Sequence, residues 1–558
     1  MIIVKQLKRE DIMKNYRNRF YSSLCLGLAL MCLWSSCQDL TELNVNPNGI
    51  DPDAVHPNLL ITTVITETAT RELNLGFGDI AGVMQHTQKD AWFEDHNNYD
   101  WSNQSWSGYY NILENARLME KRGEELSLPF YIAVAKVMNA YNFGRVADLW
   151  GDAPFTDALK GDLGGDQYLL PSFNTQQEIY QGVITMLQEA NGILQELPND
   201  NAVPQDVLFQ GDVMKWRQFA NSLMLRYYIR VSDKLPDFAA AGMQAIVNDP
   251  GQFPLIVTEA DEASLPFPGV SSGTSWPSNT VFDGSNGSNY RRIKMCATLV
   301  DRLQELDDAR LGVWAEKVEV PIVIDPDLPA GSDEVVDGVR YIASDVAEGK
   351  PVDTDPDYVG IPPSVSNLPS EYNLNPTPGQ QSYNPHVSFL SEMYTEPSGD
   401  FLKCRLLTAS EVQFGLAEAA VKGWISGDAA GFYEAAVNAS LVAWGQEDSY
   451  DEYISGAAAF DGSLSQIMEQ KWIASWTAAT ESWFDYRRTG LPSLTAGQFA
   501  VRSVLPLRFF YMQEELSINT DNATAALDRL ETTPYSQADE ANSPWSKFWL
   551  LQGTGQPW

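Results

Sequence analysis

SEVQFGLAEAAVKGWISGDAAGFYEAAVNASLVAW, residues 410–444, reads as two helices set side by side around Gly427. Ser410–Trp424 and Asp428–Trp444 both repeat apolar and small residues three to four apart, the spacing of one helix face. Both are rich in alanine, which lets helix axes approach closely. A short turn between two such segments makes an antiparallel pair.

The same pattern extends in both directions. Residues 129–150 (PFYIAVAKVMNAYNFGRVADLW) form a helix with Pro129 at its start and Gly151 just past its end. In 175–197, Ile179, Val183, Met186, Leu187, Ala190 and Leu194 share one face, and Pro171 and Pro198 bracket the segment. Asp212 can cap a helix carrying Val213, Trp216, Ala220, Leu223 and Tyr227. Leu464, Met468, Trp472 and Trp476 recur at i,i+4 before Gly490 and Pro492. Paired helices with short turns predict a mainly all-α fold of degenerate tetratricopeptide-like hairpins, since no strict 34-residue period is visible. Between Asp249 and Asn289, and again between Pro321 and Phe401, the periodicity gives way to Gly, Pro, Ser and Asp. Those are expected as long decorated loops, and loops of that length carry function or are disordered.

The chain begins differently. Lys14, Arg17 and Arg19 precede the apolar run Leu24–Leu33, followed by Trp34-Ser35-Ser36-Cys37. A basic segment, a short apolar segment and small residues before a break form a secretory signal, with Met13 the expected start. The run is about half of the ~20 residues that span a bilayer. Cysteine directly after Ser-Ser resembles a bacterial lipoprotein signal, so Cys37 is expected to be acylated; ordinary cleavage to a soluble secreted protein is the alternative. The organisation expected is a signal peptide at 1–36, a lipid-anchored linker at 37–53 and one large helical domain at 54–558.

Composition excludes several classes. Residues 1–36 hold six of the 37 basic and two of the 74 acidic residues, so the remainder carries a formal charge of −41. Such a chain lacks the basic footprint of a nucleic-acid binder or a polybasic membrane-surface protein. At 44% hydrophobic it can bury a large core, and the dispersed acids read as a solvated surface. Beyond the signal and Cys37 only Cys296 and Cys404 remain. Cys296 shares an apolar helical stripe with Ile293, Leu299, Val300, Leu303 and Leu306, which predicts a buried thiol, with a Cys296–Cys404 bridge as the alternative.

Several blocks, in order, resemble the SusD/RagB family of surface lipoproteins of Bacteroidetes: NVNPNG (44–49), ADLWGDAPFTDAL (147–159), PSFNTQQEIY (171–180), FQGDVMKWRQFANSLMLR (209–226), LTASEVQFGLAEAAVKG (407–423) and EQKWIASWTAATESWFDYRRTGLP (469–492). The resemblance is to the branch with the Arg-Arg-Thr-Gly signature. It implies a surface-exposed, lipid-anchored outer-membrane protein that captures an oligosaccharide and passes it to a SusC-like TonB-dependent transporter, without catalysis. Asp39 and Glu42 resemble the acidic surface-export signals of such proteins. A peptide-capturing lid is a variant of this reading. A lipid-anchored glycoside hydrolase with paired carboxylates is the other class to weigh.

Chemical motifs point the same way. Trp483, Asp485, Arg487 and Arg488 read as a helix end where arginines cap carbonyls, pair with Asp485 and stack on Trp483 or Tyr486. Gly269-Val270-Ser271-Ser272-Gly273 spells a nucleophile elbow, yet loop composition on both sides denies it the strand and helix it needs. Asp353-x-Asp355-x-Asp357 opens like a calcium loop but has Tyr358 where glycine belongs and Ser364 where glutamate belongs, which leaves only a looser calcium site. His56, His86, His96 and His386 lack metal-ligand spacing, so no metal or other cofactor is expected. Aromatics in polar surroundings are the ligand-binding candidates: Trp92 and Trp101 in DAWFEDHNNYDWSNQSW (90–106), and Trp276 and Tyr290 in the first long loop. Flat rings stack on sugar faces while Asn, Asp and Arg bond the hydroxyls. Trp106 and Tyr109-Tyr110 read instead as the packed start of a helix.

Overall fold

The computed structural model describes residues 54–558 apart from 102–103, 200–201, 366–368, 380–382 and 556–558. The expected signal peptide at 1–36, Cys37 and the expected linker to residue 53 lie outside the described residues. The longer helices are α1 (Asn58–Gly76), α2 (Ser107–Glu125), α3 (Pro129–Trp150), α4 (Gln176–Gln195), α5 (Val213–Val231), α6 (Pro236–Asn248), α7 (Ala297–Glu305), α8 (Ala409–Val421), α9 (Ala429–Val442), α10 (Leu464–Ala474) and α11 (Thr480–Thr489). Each of α1 to α5 packs on the next, and α8 packs on α5, α9 and α10. The protein is mainly α, built of helical hairpins, as the periodicity predicts.

Local chemistry sets the helix ends. Thr175 Oγ1 accepts the Glu178 amide while the Glu178 side chain accepts the Thr175 amide, a reciprocal cap on α4. Asp212, Thr408 and Asp428 cap α5, α8 and α9 in the same sense. Asp152 caps from a distance: its Oδ1 accepts the Gln176 amide at 2.7 Å, so it serves α4 rather than the residues that follow it. Helix α10 ends at Ala474, so Trp476 lies past its end, and Thr477 turns the chain through a left-handed conformation (φ 67°).

Short strands stitch the loops to this frame. β1 (Thr87–Lys89) pairs antiparallel with β5 (Ile293–Met295), β2 (Ala153–Pro154) with β3 (Phe173–Asn174), and β4 (Ala263–Pro266) with β9 (Lys403–Leu407). The second long loop is not structureless. It folds into a sheet of β6 (Ile322–Ile324), β7 (Asp333–Val336) and β8 (Val339–Ile342) in the order β6-β8-β7. Ile293 therefore belongs to a strand, and Cys296 is the residue that precedes α7. Cys296 and Cys404 are both free and buried, and burial raises both thiols to about 12.

Charge is buried at the centre. Arg145 of α3 donates to Glu72 of α1 at 2.8 Å and to Glu481 of α11. Arg230 lies 3.0 Å from Asp148 and bonds Glu481, Arg226 pairs with Glu411 at 2.7 Å, and Lys471 with Asp485 at 2.6 Å. Although burial opposes its charge, the surrounding Arg226, Arg230 and Arg145 hold the Glu481 carboxyl well below its ordinary range. Removing one member of such a set strands its partner, at about 3–5 kcal/mol. The network fixes the relative placement of α1, α3, α5, α8, α10 and α11.

Candidate functional site: a polar cleft beside α1

Thr66, Glu67, Thr70, Arg71 and Asn74 fall three and four residues apart, one side of α1, while Ile61, Val64, Ile65, Ala69 and Leu73 bury the other. The polar side lines a cleft of about 660 Å³. Gln104 and Ser105 face it from just before α2 and Asn111 from within it, and Tyr109, Trp150 and Phe509 close it beneath. Those three rings are almost wholly buried, so the wall offers hydroxyl, amide, guanidinium and carboxylate groups and little free ring surface.

Arg71 is the distinctive group. Its guanidinium carbon lies 4.8 Å from the Tyr109 ring centroid, a cation–π contact. Its Nε is buried with no partner among the described residues. Gly108, in the first turn of α2, makes this possible: a β-carbon there would overlap the Arg71 guanidinium. Asp79 adds a carboxylate to the rim. Burial opposes its ionisation, but His96, 3.9 Å away, and Lys89 outweigh burial and hold its pKa below the ordinary value. The cleft presents both signs of charge amid neutral donors and acceptors, a surface suited to hydroxyl-rich ligands.

The aromatic candidates are not assembled as expected. Trp92 is 59% exposed, with Arg292 over its ring at 3.9 Å, and does not line this cleft. Trp276 is 1% exposed: its ring packs against Phe77, Phe267 and Tyr394, and its Nε1 donates to Ser278. Tyr290 is buried and donates to the Leu390 carbonyl. Trp101 is buried edge-on against Trp483 and Phe509. The expectation that Trp101, Trp276 and Tyr290 face solvent is thus corrected: each ring finds apolar neighbours in the fold and is covered. The residues that line the cleft had a sequence signal, the polar stripe at helix spacing on α1. The same stripe on any surface helix would be mere solvated face, so the residues alone do not single it out.

The Arg-Arg-Thr-Gly segment is structural. Arg487 donates to the Leu507 and Asp148 carbonyls at 2.6 and 2.8 Å and lies over Trp483 at 4.2 Å. Arg488 bonds both oxygens of Glu418 and, at 3.0 Å, Asp485. The Ser271 hydroxyl sits in a turn with Thr274 rather than after a strand. In the Asp353–Asp357 segment, Asp353 and Asp355 accept backbone amides at 2.8–2.9 Å, and no cluster able to hold a metal ion occurs among the described residues.

Comparison with known proteins places this fold. Residues 48–321 and 344–512 match the model of the SusD-like family described as starch-binding and associating with the outer membrane. The chain belongs to that family. The unmatched stretch between the two spans the β6-β8-β7 sheet. A Bacteroides vulgatus outer-membrane protein, whose name connects it with nutrient binding, has 23% identity and a TM-score of 0.69, over 89% of this chain and 100% of its own. A chitin-binding protein has 21% identity and the same TM-score of 0.69, over 90% and 100%. A SusD homologue of Bacteroides fragilis has 22% identity and a TM-score of 0.67, over 89% and 99%. No curated protein matches the chain.

Proposed function

We propose that this protein captures a neutral oligosaccharide in the cleft beside α1, at the cell surface, and passes it unaltered to a TonB-dependent outer-membrane transporter. Cys37, acylated, holds it to the outer membrane. The observation that carries the reading is the Arg71 guanidinium, given room by Gly108, with an unpaired Nε among amide and hydroxyl side chains. Membership of a starch-binding family supports a glycan as cargo. Each hydrogen bond to a charged donor is worth about 1.5–3 kcal/mol, so two or three together reach the roughly 4–8 kcal/mol of millimolar to micromolar binding, which lets cargo leave again.

Titration calorimetry with soluble starch, maltoheptaose and a chitin hexasaccharide tests this. At least one should bind saturably and be recovered intact, and Arg71→Ala should weaken it about ten- to a hundredfold, the equivalent of the lost bond. Unchanged binding by Arg71→Ala removes the cleft from the function. Shortened products would make the protein a hydrolase, and a peptide that outcompetes every glycan would change the ligand class.

A further inference from the structure

A second cleft, of about 440 Å³, opens beside the first, between Trp101 and Trp545. Asp100, Arg502, Asp539 and Asn542 line it with those two indoles. The two clefts share a wall. Phe509 belongs to the first and its neighbour Phe510 to the second, while Gln104 and Ser105 face the first and Trp101 the second. Within that wall Trp101 packs edge-on to Phe509 at 5.0 Å, and Phe509 edge-on to Trp150 at 5.3 Å.

The second cleft has a fixed side and a free side. Asn542 accepts the Tyr511 amide at 2.8 Å and donates to its carbonyl at 2.9 Å, and Arg502 lies 5.1 Å over the Trp545 ring. In contrast, the Asp100 carboxylate is exposed, and the Trp101 Nε1 is buried with no hydrogen-bond partner among the described residues. Carboxylate, guanidinium and amide groups line a space of ligand size, the kinds of polar group that the first cleft also presents. Both clefts carry carboxylates, Glu67 and Asp79 in one, Asp100 and Asp539 in the other, which disfavour anionic chains.

We propose that the cleft between Trp101 and Trp545 is a second subsite for the same neutral glycan chain, so that an extended oligosaccharide crosses the Trp101–Phe509 wall and occupies both. This rests on the function proposed for the first cleft. A disaccharide then uses the first cleft alone, and only a longer chain gains from the second.

The test pairs maltose with maltoheptaose, and the chitin disaccharide with the hexasaccharide, in calorimetric titrations of the whole protein. Asp100→Ala should weaken the long ligand about tenfold, one charged hydrogen bond, and leave the disaccharide within about twofold. Val501→Trp, which fills the cleft from a position 36% exposed, should do the same without touching Asp100. If both variants bind long and short chains as the parent does, while Arg71→Ala still weakens both, the second subsite is refuted and the first cleft stands. If Arg71→Ala has no effect and the parent binds no preferred length, both readings fall. Equal loss for short and long chains in Asp100→Ala also refutes the division into two subsites.

Discussion

His86 shows how strongly this interior acts on a single group. The ring is fully buried, one nitrogen 3.0 Å from the Trp472 carbonyl, the other without a partner among the described residues. Burial lowers its pKa to about 3, against which the Trp472 carbonyl pulls only weakly upward. The unfolded chain binds this proton below about 6.5 and the folded chain does not, so His86 favours folding fully above that pH and progressively less as pH falls toward 3. His86→Gln keeps a donor for Trp472 and does not titrate. Its melting temperature should fall less than the parent's between pH 6.5 and about 4, measured by circular dichroism, a difference of a few kcal/mol at the acid end. Trp276 is the second residue-scale case. Its truncation to alanine empties a pocket among Phe77, Phe267 and Tyr394, which should cost about 3–5 kcal/mol in denaturant unfolding. A variant of normal stability would mean the ring is free. Burial of Trp276 was not legible because its neighbours come from Phe77 and Tyr394, far away in the chain, whereas its own Ser-Trp-Pro-Ser surroundings look like surface. Arg487 was legible, since two arginines at a helix end beside Trp483 have few structural uses other than carbonyl capping and stacking.

Helices were the readable level. Pro129–Trp150 emerges with the boundaries that its proline and glycine mark, and Thr408, Asp428 and Asp212 cap where the periodicity begins. The β-strands were not readable. Their pairings join residues such as Thr87 and Met295, and segments of two to five residues carry too few positions for an alternation to show. The union of α1 and α2 allows a prediction at this scale. Alanine in the first turn of α2 favours the helix over glycine by up to about 1 kcal/mol, yet at position 108 it collides with Arg71. Gly108→Ala should therefore melt close to the parent while losing glycan affinity as Arg71→Ala does. Calorimetry beside a melting curve separates the two effects, and full affinity in Gly108→Ala would show that Arg71 needs no such room.

At the scale of the molecule, no described helix is long and apolar enough to cross a membrane, and the attachment proposed is through Cys37. Three acyl chains at about 0.8 kcal/mol per buried CH₂ hold a protein durably. Cys37→Ala should shift the protein from the membrane to the soluble fraction while its circular dichroism spectrum stays unchanged; retention in the membrane fraction would refute the anchor. The strongly negative charge favours a well-hydrated surface, and the three-stranded sheet falls between the two stretches that match the family.

The placement of the polar groups on α1 separates the proposed binding face from the residues that hold the fold. Thr66, Glu67, Thr70 and Asn74 sit on the outer side of a helix whose other side is locked by Ile61, Val64, Ile65 and the Glu72–Arg145 pair. Surface exchanges away from such locks usually change stability by less than about 0.5 kcal/mol. Exchanges along this stripe can therefore change what the proposed cleft would hold, one residue at a time, while the helix keeps its fold.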